Sequence, residues 1–170
     1  SIKANAQLAA WTKNIETEIQ HNGYIGFYEA KNICSIKTTD NTIISVFNFK
    51  ENDNEYFNKK QFRYDSVAIS KVDFNGNIIW IKKYSIPNSG RIEDVCEMNN
   101  GCVALCGVSG TNNVFYKLDA NGNIVFSKLY TNPQGNFFFN KIKQTQTGGF
   151  SIASLRHNYS HRELISAFEY

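Results

Sequence analysis

Proline is nearly missing from this chain, at two of 170 residues, so Asn and Gly must punctuate it. Charge is sparse too. Asp, Glu, Lys and Arg make up 19%, with a net charge of +3. No Lys/Arg run is dense enough to track a phosphate backbone, which sets nucleic acid aside as a partner. No apolar run approaches the roughly 18–20 residues that a membrane-spanning helix needs. The four cysteines show no C-x-x-C spacing, so zinc lacks its usual signature. There is no G-x-S-x-G, no H-E-x-x-H and no phosphate-binding loop. These absences give the expectation of a protein that is not an enzyme, with no cofactor and no bound metal.

Aromatic residues are plentiful at 14%, with 13 Phe and 9 Tyr. Together with abundant Ile and Val they favour strands over helices. The strongest signal is an internal repeat. The stretch KVDFNGNIIWIKKY at 71–84 returns 46 residues later as KLDANGNIVFSKLY at 117–130, with eight of fourteen positions identical. A period of 40–50 residues marks a repeat architecture.

Each copy reads as two strands around a tight turn. Asn75-Gly76 and Asn121-Gly122 supply the positive φ angles of a type I′ hairpin. Asp73 and Asp119, two residues before each Asn, are placed to cap turn amides. Two further strands precede each hairpin, at 33–39 and 42–48, then at 91–98 and 102–108. A third set falls at 138–146 and 149–155. Four strands in about 46 residues is the size of a β-propeller blade. The expected fold is all-β, one segment over 1–170 built of three four-stranded repeats. Blade one covers 33–84, with a polar insertion at 50–63. Blade two covers 91–130. Blade three covers 137–169 and lacks its own outermost strand, strand D.

A strand D stands instead near the start. In residues 8–15, Trp11-Thr12-Lys13 matches Trp80-Ile81-Lys82 and Phe126-Ser127-Lys128. By period-two alternation each aromatic ring shares a face with its Lys. The rings are expected to cover a neighbouring strand or blade, with the Lys stems alongside. The Lys also discourage edge pairing. Propellers usually close with about four to eight blades. Three therefore form an incomplete ring, needing further blades or a second copy of the chain. An open stack would expose apolar blade faces.

The hairpins resemble the outer strands of pyrroloquinoline-quinone-type propeller repeats, which carry Leu-Asp-Ala-x-x-Gly-x-x-x-Trp. Leu118-Asp119-Ala120-Asn121-Gly122 through Phe126 is similar, one residue shorter and with Phe for Trp. TGGFSIAS at 147–154 is similar to the Gly-Gly-aromatic strand of secreted bacterial lipoprotein-like tandem-repeat propellers. The resemblance covers about 33–170. It implies a propeller fold and an extracellular or cell-surface location. It implies no cofactor, because no adjacent-cysteine pair or acidic set matching a quinone–calcium site is present.

Several residues invite chemistry. Cys102 and Cys106 lie four apart on one strand, too far to bridge at about 3.3 Å per residue. A link from Cys96 to either stays open. Buried side chains are the simpler reading of Cys34, Cys96, Cys102 and Cys106. His157 and His161 flank the sequon Asn158-Tyr159-Ser160 in what reads as a solvated basic loop. Glu93 and Glu97 could face a central channel. Tyr24, Phe27 and Tyr28 fall in one long connection and Phe137 in its counterpart. There they could stack on a sugar or anchor a protein partner.

The leading expectation is therefore a non-enzymatic scaffold for protein–protein assembly, with another polypeptide or a second copy completing the propeller. Trp11 and Lys13 are its closure strand. The alternatives are a lectin-like, glycan-binding propeller using the loop aromatics, and part of an enzyme whose catalytic residues lie in other blades.

Overall fold

The computed structural model describes residues 31–49, 66–88, 90–132, 137–157 and 162–169. Among them there is no helix. Eleven strands follow in chain order: β1 Lys31–Lys37, β2 Thr42–Phe49, β3 Ser66–Asp73, β4 Ile78–Ser85, β5 Arg91–Glu97, β6 Val103–Ser109, β7 Asn112–Leu118, β8 Ile124–Tyr130, β9 Phe137–Gln144, β10 Phe150–His157 and β11 Arg162–Glu169. They form three antiparallel meanders. The first sheet runs β1-β2-β3-β4, the second β5-β6-β7-β8, and the third β9-β10-β11. Every pairing joins strands consecutive in sequence, which short Asn/Gly turns favour.

The turns recur with one geometry. Five hairpins repeat a pair of backbone hydrogen bonds. In the β3–β4 turn Gly76 N–H donates to Asp73 O (3.1 Å) and Asp73 N–H donates to Asn77 O (2.9 Å). The same pair closes the turns at Thr38–Thr42, Met98–Cys102, Asp119–Asn123 and Thr145–Gly149. In each, one residue is left-handed: Asn41, Gly76, Gly101, Gly122 or Gly148. This is a type I turn followed by a left-handed residue in a bulge. It corrects the type I′ expectation, which needs positive φ at Asn75 and Asn121 as well; neither has it. The cause is Asp73, whose Oδ1 accepts from the N–H groups of Asn75 and Asn77 (both 2.8 Å) and fixes the type I arm. The extra loop residues also shift strand starts, so β6 begins at Val103 and β10 at Phe150. The β6–β7 connection differs. Gly110, at φ 60°, starts a two-residue turn between the paired Ser109 and Asn112.

Bulges repeat in phase as well. On the first strand of each sheet the register skips one residue: Ile33, Glu93 and Asn140. On the fourth strand it skips Ile79 and Val125, which lie 46 residues apart.

The sheets pack face to face. Ile44, Val46, Val67 and Ile69 of the first sheet meet Ile92, Val95, Val103, Leu105, Val114 and Leu118 of the second. Across its other face, Ala104, Cys106 and Phe115 meet Phe139, Ile142 and Ile152 of the third. Burying one such Leu or Ile stabilises by about 1.5–3 kcal/mol. On the far face of the first sheet Phe47, Phe49, Ala68 and Val72 are at most 4% exposed and pack with Ile43 and Ile81.

Candidate partner-docking surface

Polar side chains tie each sheet to the next at matching places. Asn48 on β2 brackets Ile92: its Nδ2 donates to Ile92 O (2.7 Å) and its Oδ1 accepts from Ile92 N–H (2.9 Å). Asn113 on β7 reaches β9 at two residues, donating to Phe137 O (3.0 Å) and accepting from Phe139 N–H (2.9 Å). The last residue of β5, Glu97, accepts from Thr39 N–H and Thr39 Oγ1 in the turn of the first sheet (2.8 and 2.9 Å). Gln144, last in β9, likewise accepts from Asn99 N–H in the second (2.8 Å). Glu97 thus clamps neighbouring sheets, and Glu93 pairs with Arg91. Asp94 accepts from Ile142 N–H (3.0 Å).

Burial disfavours the thiolate at three of the four cysteines. Burial first, and then the charge of Asp94, pushes Cys34 and Cys96 up to about 12. The same causes hold Cys106 well above its ordinary value. All four cysteines are free, so the open question of a Cys96 link resolves to none. Among the described residues no group of three or more His, Cys, Asp or Glu could hold a metal ion. Nor is any helix among them long and apolar enough to cross a membrane.

The repeat turns make the most specific contact. In both, the Asp oxygens take the second Asn's side-chain amide as well as backbone N–H groups (2.7 Å for Asn77 to Asp73, 2.9 Å for Asn123 to Asp119). Those amides hold the Asp73 and Asp119 carboxyls below their usual range. The second turn then docks on the first sheet. Trp80 Nε1 donates to Ala120 O (3.0 Å), and the Tyr84 hydroxyl donates to Gly122 O. Burial raises the Tyr84 phenol, keeping it a donor. A Cβ at Gly122 would lie 3.0 Å from the Trp80 ring and from Lys82 Cγ, and φ there is +79°. Only glycine fits both demands. The ring thus covers the neighbouring sheet with the Lys stem beside it, as the alternation of β4 implies.

Forty-six residues on, Phe126 and Tyr130 occupy the positions of Trp80 and Tyr84 on β8. Phe126 rests edge-on against Phe115 at 6.0 Å, yet stays 49% exposed. Ile124, Val125 and Leu129 are 44%, 55% and 52% exposed, so β8 shows apolar side chains on both faces. The sequence marked this strand only as an edge guarded by Lys. Lys128 instead lies over its own Tyr130 ring, at 4.7 Å.

Phe137 is the first residue of β9 rather than part of a connection, and its carbonyl serves Asn113 and Asn132. Tyr24, Phe27, Tyr28, Trp11, Lys13 and His161 lie outside the described residues, as does the insertion at 50–63.

One ion pair lies apart from these interfaces. Lys71, 7% exposed on β3, reaches Asp40 at 2.7 Å. Asp40 also accepts from Thr38 Oγ1 and Thr42 Oγ1 (2.6 and 2.8 Å). Lys71 first, then Thr38, holds the Asp40 carboxyl far below its ordinary 3.8. A depressed folded-state pKa stabilises above the unfolded value and loses that effect as pH falls through the acidic range. Because the Asp40 side chain is 53% exposed, solvent screens the pair, and Asp40→Asn is expected to cost about 1 kcal/mol at neutral pH. The gap from wild type should close in urea titrations as pH drops below 3.8, where Asp40 of the unfolded chain takes up a proton while the folded one still holds its charge. An unchanged gap in acid would exclude this role.

No protein-family model matches the chain, and no curated protein matches it.

Proposed function

We propose that the three sheets are blades of a β-propeller segment that works as a non-enzymatic scaffold, extracellular or on the cell surface, for protein–protein assembly. The observation that carries this reading is β8. An outermost strand with four large apolar side chains 44–55% exposed is what an assembly surface offers. Blade equivalence is supported by the in-phase bulges, the shared turn geometry and the matching strand-end clamps of Glu97 and Gln144. A location outside the cell follows the resemblance.

Light scattering over a wide concentration range tests the scaffold role. The wild-type chain should form species heavier than its 19.4 kDa, and Leu129→Lys should shift it to monomer. A strict monomer at every concentration would sink the reading.

A further inference from the structure

Three Asn-Gly pairs stand at the same place of three turns: Asn75-Gly76, Asn100-Gly101 and Asn121-Gly122. In each the Gly N–H donates to the carbonyl three residues back, and the Gly is left-handed. Their surroundings differ. Gly122 is buried, a Cβ there would stand 3.0 Å from the Trp80 ring, and the carbonyls of Ala120 and Gly122 accept from Trp80 Nε1 and the Tyr84 hydroxyl. Asp119 Oδ1 accepts from the N–H groups of Asn121 and Asn123 (2.9 and 2.8 Å), which sets a carboxylate against that turn. Asp73 does so for Asn75 and Asn77. The turn at Asn100 has Met98 where the other two have Asp. There Asn100 caps the turn itself, its Oδ1 accepting from Cys102 N–H (3.2 Å). Asn100 is exposed, and a Cβ on Gly101 would meet nothing within 4 Å.

We propose that Asn100 is a site of spontaneous covalent modification, converting to aspartate and isoaspartate while Asn75 and Asn121 are spared. The Gly101 nitrogen, its proton taken by solvent base, bonds to the side-chain carbonyl carbon of Asn100. The Cγ–Nδ2 bond breaks, Nδ2 takes up a proton and leaves as ammonia, and a cyclic succinimide remains. Water then opens the ring at either carbonyl, giving aspartate or isoaspartate. One water enters, one ammonia leaves, and nothing is oxidised or reduced. Three features select Asn100. Negative charge develops on Oδ1 during the attack, and Cys102 N–H already points at that oxygen. The attack also requires Gly101 to turn its N–H away from Met98 O, and a glycine in open space does so freely. At Asn121 the same motion would pull Gly122 off the Trp80 ring and strain two hydrogen bonds. Last, the Asp73 and Asp119 carboxylates, held ionised by their turns, oppose loss of a proton from the Gly76 and Gly122 amides. The product matters to the fold. Isoaspartate adds a methylene to the main chain of the turn, beside the Asn99 N–H that donates to Gln144 Oε1 of the third sheet. Conversion therefore loosens that clamp.

The test incubates the full chain in mildly alkaline buffer, then digests it with trypsin. Peptides 72–82, 92–117 and 118–128 each carry one Asn-Gly pair. Fragmentation mass spectrometry locates the mass gain of amide-to-acid exchange, and an isoaspartyl carboxyl methyltransferase labels the isoaspartate. In the folded chain Asn100 should convert at least about tenfold faster than Asn121, whose two hydrogen bonds must first yield. It should run ahead of Asn75 as well. In urea the three rates should converge. Trp80→Leu should speed Asn121 about fivefold, the equivalent of one hydrogen bond, and leave Asn100 unchanged. Asn100→Ser should remove the label from peptide 92–117. Hydrogen exchange should show a faster Asn99 amide in aged protein than in fresh. Asn75 or Asn121 keeping pace with Asn100 in the folded wild type overturns the proposal. So does an Asn100 that converts in urea but not when folded. A gap that persists in urea overturns it too, because the preference would then lie in neighbouring residue types and not in the fold.

Discussion

Gly107→Ala should destabilise the protein by about 3 kcal/mol or more, the range that marks a forced backbone shift. Gly107 sits in β6 opposite Ile92, where the β5 register skips Glu93. A Cβ there would stand 2.1 Å from Arg91 O and 2.8 Å from Ile92 Cα. Both are backbone atoms, so no side-chain rotation relieves the clash. A strand glycine commonly marks such a bulge or a close backbone approach. The shift would spread outward, because Ile92 is also the residue held by Asn48 from the neighbouring sheet. Urea denaturation measures the change. A loss under 1 kcal/mol would mean that the β5 bulge is soft and does not set the approach of the strands.

Much of the fold was legible in sequence because it repeats. Identical turn residues at a 46-residue shift located β3–β4 and β7–β8, and Asp-x-Asn-Gly located the caps. The turn type was not legible. Asn-Gly satisfies a type I′ pair, but the Asp carboxylate favours type I, and the choice between them is a contest of local hydrogen bonds. The bulges at Ile33, Glu93 and Asn140 also escaped, since three unlike residues share that position and composition carries no trace of it. The Trp80 contact was half legible: alternation gave its face, but not that its partner is the glycine turn of the next sheet. Exposure along β8 could not be read at all. IVFSKLY is as apolar as a buried strand, and whether water reaches it depends on which neighbours the fold supplies. Burial of Phe47 and Phe49 failed to show for the same reason in reverse.

Asn48 is the residue whose loss should separate stability of a sheet from stability between sheets. It is fully buried, and its amide satisfies both backbone groups of Ile92. Asn48→Ala leaves one buried N–H and one buried C=O without partners, each costing about 1–3 kcal/mol. A net loss of about 3 kcal/mol is expected, unless water enters the space left behind. The Ile92 amide should also exchange far faster, while amides between β6 and β7 keep pace with global unfolding. If Asn48→Ala costs under 1 kcal/mol and Ile92 stays protected, the bracket is dispensable and apolar packing alone joins the sheets. A related device stands on β7, one strand further out, where Asn113 holds the C=O of Phe137 and the N–H of Phe139 on the first strand of the next sheet. In the third sheet the two bracket positions are filled by Leu155 and Leu164, judged by their pairing with Phe138 and with each other. No amide is therefore available there to hold a further sheet by its inner strand.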